Sequence, residues 1–168
     1  MNKLSIFDQF NFSGDINEAR KLLLESGWDV KNDNQINWYE FSHQRSQYLI
    51  QFIAEKLPQS NLAKKLLESN IPLETNSANS ALDTLLSTHK DINIIKPWLD
   101  AVIDGNGFRN ATAHAGMPNV LARSLLHGNA DAFEYLFKHQ KKINGVNESL
   151  DLMLFIGELL HLDANDLL

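Results

Sequence analysis

The chain has 168 residues, of which 43% are hydrophobic, and this is enough for one globular core or a short stack of helices. No apolar run approaches the roughly 18 residues that span a membrane. The absence of cysteine excludes disulfides and thiolate zinc sites, and the net charge of −6 argues against broad, non-specific nucleic-acid binding. The N-terminus lacks the pattern of a secretory signal, so we expect a cytoplasmic protein. We also expect residues 1–168 to form a single domain.

Apolar residues recur at helical spacing through the first half of the chain. The stretch 28–43 begins with turn-favouring Asp and Asn residues and is predicted to be irregular, as is the polar stretch 70–80. Between and before these stretches the pattern predicts a short helix in 4–12 and further helices over 15–26, 44–57 and 61–69.

The second half of the chain alternates helices with glycine-containing breaks. Helices are predicted over 80–89 and 92–103, and a flexible loop with three glycines over 104–116. A last helix is predicted from Asn147 or Ser149 to about residue 161.

Residues 121–144 have the pattern of a helix, a tight break and a second helix. Gly128 is expected to end the first helix because glycine accepts the left-handed conformation, and Asn129 or Asp131 can cap the second. The apolar stripe of the second helix consists of Ala132, Phe133, Leu136 and Phe137. Such a hairpin cannot bury its apolar face alone, so the pattern predicts neighbours of the same kind.

The second-helix pattern recurs in the rest of the chain. Copies anchored on Ala19, Ala63, Ile95, Phe133 and Ala164 are spaced by 44, 32, 38 and 31 residues. Two of these spacings lie close to the roughly 33 residues of an ankyrin repeat. The sequence therefore predicts an all-α fold of helical hairpins stacked side by side.

Several residues resemble those of ankyrin repeats. Leu121 and Ser124 occupy the Leu and small-residue positions, Gly128-Asn129 the break, Tyr135-Leu136-Phe137 the buried helix, and Ile143-Asn144 the exit; Gly27-Trp28-Asp29-Val30 resembles a second exit. The chain departs from the family because it has no Thr-Pro-Leu-His sequence and because Pro97 falls inside a predicted helix. The resemblance implies a short ankyrin-like α-solenoid, with a generic α-solenoid as the alternative.

Ankyrin-like proteins bind other proteins through their loops and the inner helices of a concave face. The resemblance implies that Arg45, Ser46, Tyr48, Lys56, Leu57, His89, Leu126 and His127 lie near that face, and that Trp38, Tyr39, Phe108 and Arg109 lie in long loops. Bacterial immunity proteins include acidic ankyrin-like members that neutralise a toxin. We therefore expect a non-enzymatic binding module that occludes another protein, for which a basic toxin domain is a candidate.

A short motif supports an alternative. The stretch from Phe108 to Gly116 contains Arg-Asn-x-x-x-His, which resembles the motif of HEPN-type ribonucleases. The resemblance implies metal-independent RNA cleavage, with Arg109 acting on phosphate charge, His114 in proton transfer and Asn110 in support. The chain has no paired-histidine metal motif and no glycine-rich phosphate loop, so neither interpretation predicts a metal or a cofactor.

Overall fold

The structure is a computed structural model, and it describes residues 15–69, 75–104, 120–139 and 143. Within these ranges all the regular structure is helical and no strand occurs, so the predicted all-α class is confirmed. None of the helices in these ranges is long and apolar enough to cross a membrane.

The described ranges contain eight α-helices and one 3-10 helix. In chain order they are α1 (Ile16–Glu25), the 3-10 helix (Val30–Gln35), α2 (Trp38–His43), α3 (Arg45–Lys56), α4 (Asn61–Glu68), α5 (Thr75–Thr88), α6 (Ile92–Asp104), α7 (Val120–Leu126) and α8 (Ala130–Lys138).

Side-chain caps fix several helix starts where the sequence predicts them. The Ser60 hydroxyl accepts the backbone N–H of Ala63 at 3.1 Å and caps α4. Gly128 has φ +64°, the left-handed conformation that separates α7 from α8. Asn129 then caps α8 by accepting the N–H of Ala132 at 3.2 Å. Both the break and the cap of the predicted hairpin are therefore confirmed.

Helices that follow one another contact each other in pairs, and so do alternate helices. Sequential contacts join α1 with α2, α2 with α3, α3 with α4, α5 with α6, and α7 with α8. Helix α5 also contacts both α3 and α7, while α6 contacts both α4 and α8. We call α3, α5 and α7 the first row, and α4, α6 and α8 the second row.

Two hydrogen bonds show the relative direction of α3 and α5, because the later residue of α3 pairs with the later residue of α5. Near the start of the pair, Gln47 of α3 donates to the Ser80 hydroxyl of α5 at 3.3 Å. Near the end, His89 contacts the carbonyl of Glu55 at 2.8 Å. Ascending order at both ends means that α3 and α5 run parallel, with their C-terminal ends at the same edge.

The core lies between the two rows and continues under α1 and α2. Its largest buried side chain is Trp98 of α6, whose indole N–H donates to the Pro58 carbonyl at 3.0 Å and so ties the second row to the loop before α4. Phe41 of α2 packs against Tyr48 and Phe52 of α3 with ring centroids 4.9 and 5.7 Å apart. Burial of these aromatic rings anchors α2 on the first row.

Two stretches predicted to be irregular are helical. Residues 30–35 and 38–43, inside the predicted irregular stretch 28–43, form the 3-10 helix and α2, because Phe41 and Trp38 bury an apolar face against the neighbouring helices. Trp38 and Tyr39 therefore lie in a helix and not in a long loop. Helix α5 begins at Thr75, inside the predicted loop 70–80, because Ser77, Ala78 and Asn79 are buried between neighbouring elements.

One residue of the predicted apolar stripe of α8 is not buried. Ala132 and Leu136 are fully buried and Phe133 is half-buried, but Phe137 remains 45% exposed. The predicted helices within 4–12 and 147–161 and the copy anchored on Ala164 lie outside the described residues.

Candidate functional site

The predicted partner-binding residues within the described ranges fall into two groups. Lys56, His89 and His127 lie at the C-terminal ends of α3, α5 and α7, at one edge of the first row. Trp38, Tyr39, Arg45 and Tyr48 lie on α2 and the first turns of α3. Arg45 is the first residue of α3 and Lys56 is the last. At a rise of 1.5 Å per residue, these two residues, one from each group, lie about 16 Å apart along the helix.

The first group forms a continuous edge because the helix ends are bonded to one another. We define the row edge as Lys56, His89, Lys90, Leu126 and His127. The His89 ring contacts the carbonyl of Glu55 at the end of α3, and the Lys90 ammonium donates to the carbonyls of Leu86 at 2.9 Å and of His127. These groups satisfy carbonyls that helix C-termini leave without partners, which favours cations there.

Asn129 links the end of α5 to the start of α8 beside the row edge. Its amide nitrogen donates to the carbonyls of Leu86 at 3.1 Å and His89 at 2.8 Å, while its oxygen caps α8. The residue is buried, so these bonds form away from water, where leaving such groups unpaired is costly. One side chain therefore sets both the start of α8 and the position of α7 beside α5.

A buried arginine joins α5 to α7 behind the row edge. Arg123 has a side chain only 3% exposed, and its Nε and Nη2 each lie 2.8 Å from Oδ1 of Asp83. Its Nη1 and Nη2 also donate to the side-chain and backbone oxygens of Asn79 at 2.5 and 2.7 Å. The His127 ring lies 3.0 Å from the same Asp83 oxygen and carries the network out to the row edge. We call Asn79, Asp83, Arg123 and His127 the Arg123 cluster.

The charge of Asp83 is stabilised by its partners in this cluster. Burial by itself raises the pKa of the Asp83 carboxyl, but the hydrogen bonds and positive charge of Arg123, with those of His127, lower the pKa by more. The result is a pKa below the ordinary value for aspartate. The Asp83 side chain is 35% exposed, so one side of this carboxylate faces water at the row edge.

The Asn79 amide is oriented by the guanidinium beside it. Reversing the amide would place two donors against each other, so Oδ1 must face Arg123. Within the described part of the chain this leaves Nδ2 buried with no hydrogen-bond partner. Such a donor costs about 1–3 kcal/mol, which the bonds to Arg123 must offset.

The second group surrounds the junction of α2 and α3. Arg45 has φ +45°, an uncommon conformation for a non-glycine residue, and it turns the chain from one helix directly into the next. Burial raises the pKa of Tyr48, and the carboxylates of Glu55 and Glu40 raise it further, against a hydrogen bond from the Asn37 backbone.

The sequence pattern did not identify the Arg123 cluster. Its members are spaced at i, i+4 on each side, Asn79 with Asp83 and Arg123 with His127, which places each pair on one helical face. A charged residue inside the apolar run from Val120 to Leu126 was the available signal, because an arginine on a buried face needs a partner.

Residues Phe108, Arg109, Asn110 and His114 lie outside the described residues, so the ribonuclease interpretation stays a prediction. Among the residues that are described, no group of three or more His, Asp or Glu side chains is arranged to hold a metal ion.

Comparison with known proteins assigns no family. No protein-family model matches the chain, and neither the curated proteins nor the solved structures contain a match. What the chain does must be inferred from its own residues and contacts.

Proposed function

We propose that the chain is a protein-binding module built as a short ankyrin-like α-solenoid. Support for the architecture comes from the contacts between alternate helices and from the parallel direction of α3 and α5. Asn79 of α5 binds Arg123 of α7, and Asp83, four residues later, contacts His127, four residues after Arg123. Helices α5 and α7 are therefore also parallel. In an up-and-down bundle, neighbouring helices would run antiparallel, whereas stacked hairpins place equivalent helices in parallel rows.

The observation that carries the binding proposal is the row edge. Lys56, His89 and His127, which the ankyrin resemblance puts near one face, lie at three adjacent helix ends joined by hydrogen bonds. Leu126 at the same edge is 44% exposed, so an apolar side chain stands among polar ones. A partly apolar, rigid edge with a polar rim is the composition of a protein interface.

The partner is proposed to be a basic protein, with a toxin domain as the specific candidate, and the module inhibits it by occlusion. The net charge of −6 attracts positive charge. Electrostatic attraction of this kind increases the association rate and falls with salt.

The test uses two double variants with matched chemistry. Lys56→Ala/Leu126→Arg changes the row edge, and Lys138→Ala/Phe137→Arg changes α8; each variant keeps the net charge but places an arginine where an exposed apolar side chain stood, which repels a basic partner. Leu126 and Phe137 are almost equally exposed, at 44% and 45%, and each lysine pairs with a nearby glutamate. The tagged chain is purified from its native cell, and proteins bound to the wild type and to each variant are identified by mass spectrometry.

We expect a stoichiometric protein that is bound by the wild type and by the α8 variant but is lost from the row-edge variant. Adding the purified chain to that protein should suppress its activity. Equal loss from both variants, or retention by the row-edge variant, would show that the edge is not the binding face.

A further inference from the structure

The Asp83 carboxylate has one oxygen surrounded by donors and one that is free. Nε and Nη2 of Arg123 each lie 2.8 Å from Oδ1, and Nε2 of His127 lies 3.0 Å from the same atom. An ionised carboxylate can only accept hydrogen bonds, so the His127 ring donates from Nε2. Three nitrogens therefore occupy the lone pairs of Oδ1, whereas no donor among the described residues is bonded to Oδ2.

The free oxygen is open to solvent. Within the described ranges, the only buried side-chain polar atom without a hydrogen-bond partner is Nδ2 of Asn79. Oδ2 of Asp83 also lacks a partner but is not such a buried atom, so it must be accessible to water. The 35% exposure of the Asp83 side chain agrees with this position.

The Asp83 carboxylate lies beside the row edge and is held in place there. His127, which contacts Asp83, belongs to the row edge, and Leu126 next to it is 44% exposed. Because Arg123 is buried and also bonds to Asn79, it fixes the orientation of the carboxylate before any partner binds. A preorganised group loses little conformational entropy on binding, which favours affinity.

The cations around this carboxylate already have acceptors. The Lys56 ammonium lies 2.8 Å from a Glu55 carboxylate oxygen, and the Lys90 ammonium donates to two carbonyls at helix ends. Arg123 is matched by Oδ1. Asp83 is ionised at neutral pH because its pKa lies below the ordinary value. An ionised carboxylate has about four lone-pair sites and can bridge two cations, so Oδ2 is suited to a second one.

We propose that Oδ2 of Asp83 binds a cationic side chain of the partner protein, so that the carboxylate bridges this cation and Arg123. A lysine ammonium or an arginine guanidinium of the partner donates an N–H to Oδ2, and Leu126 packs against apolar surface beside it. This inference rests on the proposed binding function and names the contact for which the partner must be basic.

The first experiment distinguishes the two cations in the complex of the wild-type chain with the captured protein. A carbodiimide joins a carboxylate directly to an amine that touches it, and mass spectrometry identifies the linked residues. A link from Asp83 to a lysine of the partner is expected if the cation is an ammonium. A guanidinium does not couple in this way, so an arginine contact leaves Asp83 unlinked and is detected by affinity alone.

Asp83→Asn tests the contact itself, with Glu55→Gln as its matched control. Each substitution removes one negative charge from a side chain that is 35% exposed. Asp83→Asn should weaken binding roughly 10- to 100-fold, as expected for the loss of a charge-assisted hydrogen bond, mainly through faster dissociation. Glu55→Gln should weaken binding by at most about three-fold, mainly through slower association. Surface plasmon resonance with the captured protein measures both rates.

A second pair of variants keeps the test valid if Asp83→Asn does not fold. Arg123→Met removes the buried charge and leaves both oxygens of Asp83, whereas Asp83→Asn/Arg123→Met removes both charges. Arg123→Met should bind within about three-fold of wild type, and the double variant should lose affinity as Asp83→Asn does. A purely structural role of the Arg123 cluster would instead weaken binding equally in both variants.

Unchanged affinity in Asp83→Asn or in the double variant would overturn the inference, and so would losses equal to those of Glu55→Gln and Arg123→Met. Capture that is still lost from the row-edge variant would then leave the proposed function standing. Failure of the wild-type chain to capture any protein would refute both.

Discussion

The Asp83–Arg123 pair should show a coupling energy that surface ion pairs of this chain do not. The perturbations are Asp83→Ala, Arg123→Met and the double variant. The first leaves a guanidinium without its carboxylate partner in a site where the arginine side chain is 3% exposed. The second removes the charge but keeps most of the apolar stem that packs in the core.

The magnitude follows from burial. Removing one partner of a fully buried ion pair costs about 3–5 kcal/mol. Because the Asp83 side chain is 35% exposed and therefore partly screened by water, we expect about 2–3 kcal/mol for Asp83→Ala. Arg123→Met leaves a carboxylate that can hydrate and the Asn79 side-chain oxygen without its arginine donor, and should cost about 1–2 kcal/mol. The double variant leaves no buried charge, so the coupling energy should be about 1–2 kcal/mol.

Urea unfolding followed by circular dichroism gives each free energy from the midpoint and slope. The same cycle on Glu134 and Lys138, an exposed i, i+4 pair of α8, is the control and should show no resolvable coupling. Raising the salt concentration should change the buried coupling little, because screening acts on exposed charges.

Acid unfolding provides a second readout of the pair. The pKa of Asp83 in the folded chain lies below its ordinary value, so the unfolded state takes up a proton first as the pH falls. The stabilisation is therefore complete above the ordinary aspartate pKa and is lost as the pH falls below it toward the folded-state pKa. Arg123→Met should reduce this pH dependence.

Additivity of the two single substitutions within about 0.5 kcal/mol would refute the reasoning. It would mean that the guanidinium finds equivalent stabilisation without Asp83, and that the cluster does not link α5 to α7.

Three further predictions concern the core, the backbone and the alternative activity. Leu136→Ala removes a fully buried side chain and should cost about 2–5 kcal/mol, whereas Lys138→Ala on the same helix, at a side chain that is 65% exposed, should stay within about 0.5 kcal/mol in the same urea titration. Arg45→Gly should raise stability by up to about 1 kcal/mol, because glycine adopts φ +45° without strain; a lower urea midpoint would contradict this. The purified chain should leave RNA intact, and metal-independent cleavage that disappears in His114→Ala would instead support the ribonuclease interpretation.

The helices could be predicted where apolar spacing and caps agree. The stretches predicted over 61–69 and 92–103 match α4 and α6 to within one residue at each end, even though Pro97 lies inside α6. Ser60 and Asn129 supplied the cap signals, and Gly128 the stop signal. Local chemistry determines these boundaries, so the sequence alone is sufficient to find them.

The first turns of α5 could not be predicted because tertiary contacts outweigh local propensity there. Thr75-Asn-Ser-Ala-Asn-Ser80 has few strong helix formers and reads as a loop. In the fold, Ala78 is fully buried and Asn79 binds the Arg123 guanidinium, so contacts with α7 hold this segment in a helix. A partner that lies 44 positions away in the chain leaves no periodic signal.

Some residues of the candidate site could be selected from the sequence, and others could not. The ankyrin resemblance puts Lys56, His89 and His127 near one face, and in the structure all three lie at helix ends along the row edge. Helix α2 has no counterpart in the ankyrin-like pattern. The turn-favouring residues from Asn32 to Asn34 that precede it indicate a loop and not a helix. The position of Trp38 and Tyr39 on a helix could therefore be found only from the structure.

Amide hydrogen exchange of the chain, free and bound to its captured partner, tests the binding proposal most directly. Burial of the row edge should slow exchange at residues 55–58, 88–90 and 126–128, while the exposed ends of the second-row helices exchange at unchanged rates. Protection confined to the second row, or a partner that leaves all three helix ends unprotected, would contradict the proposal.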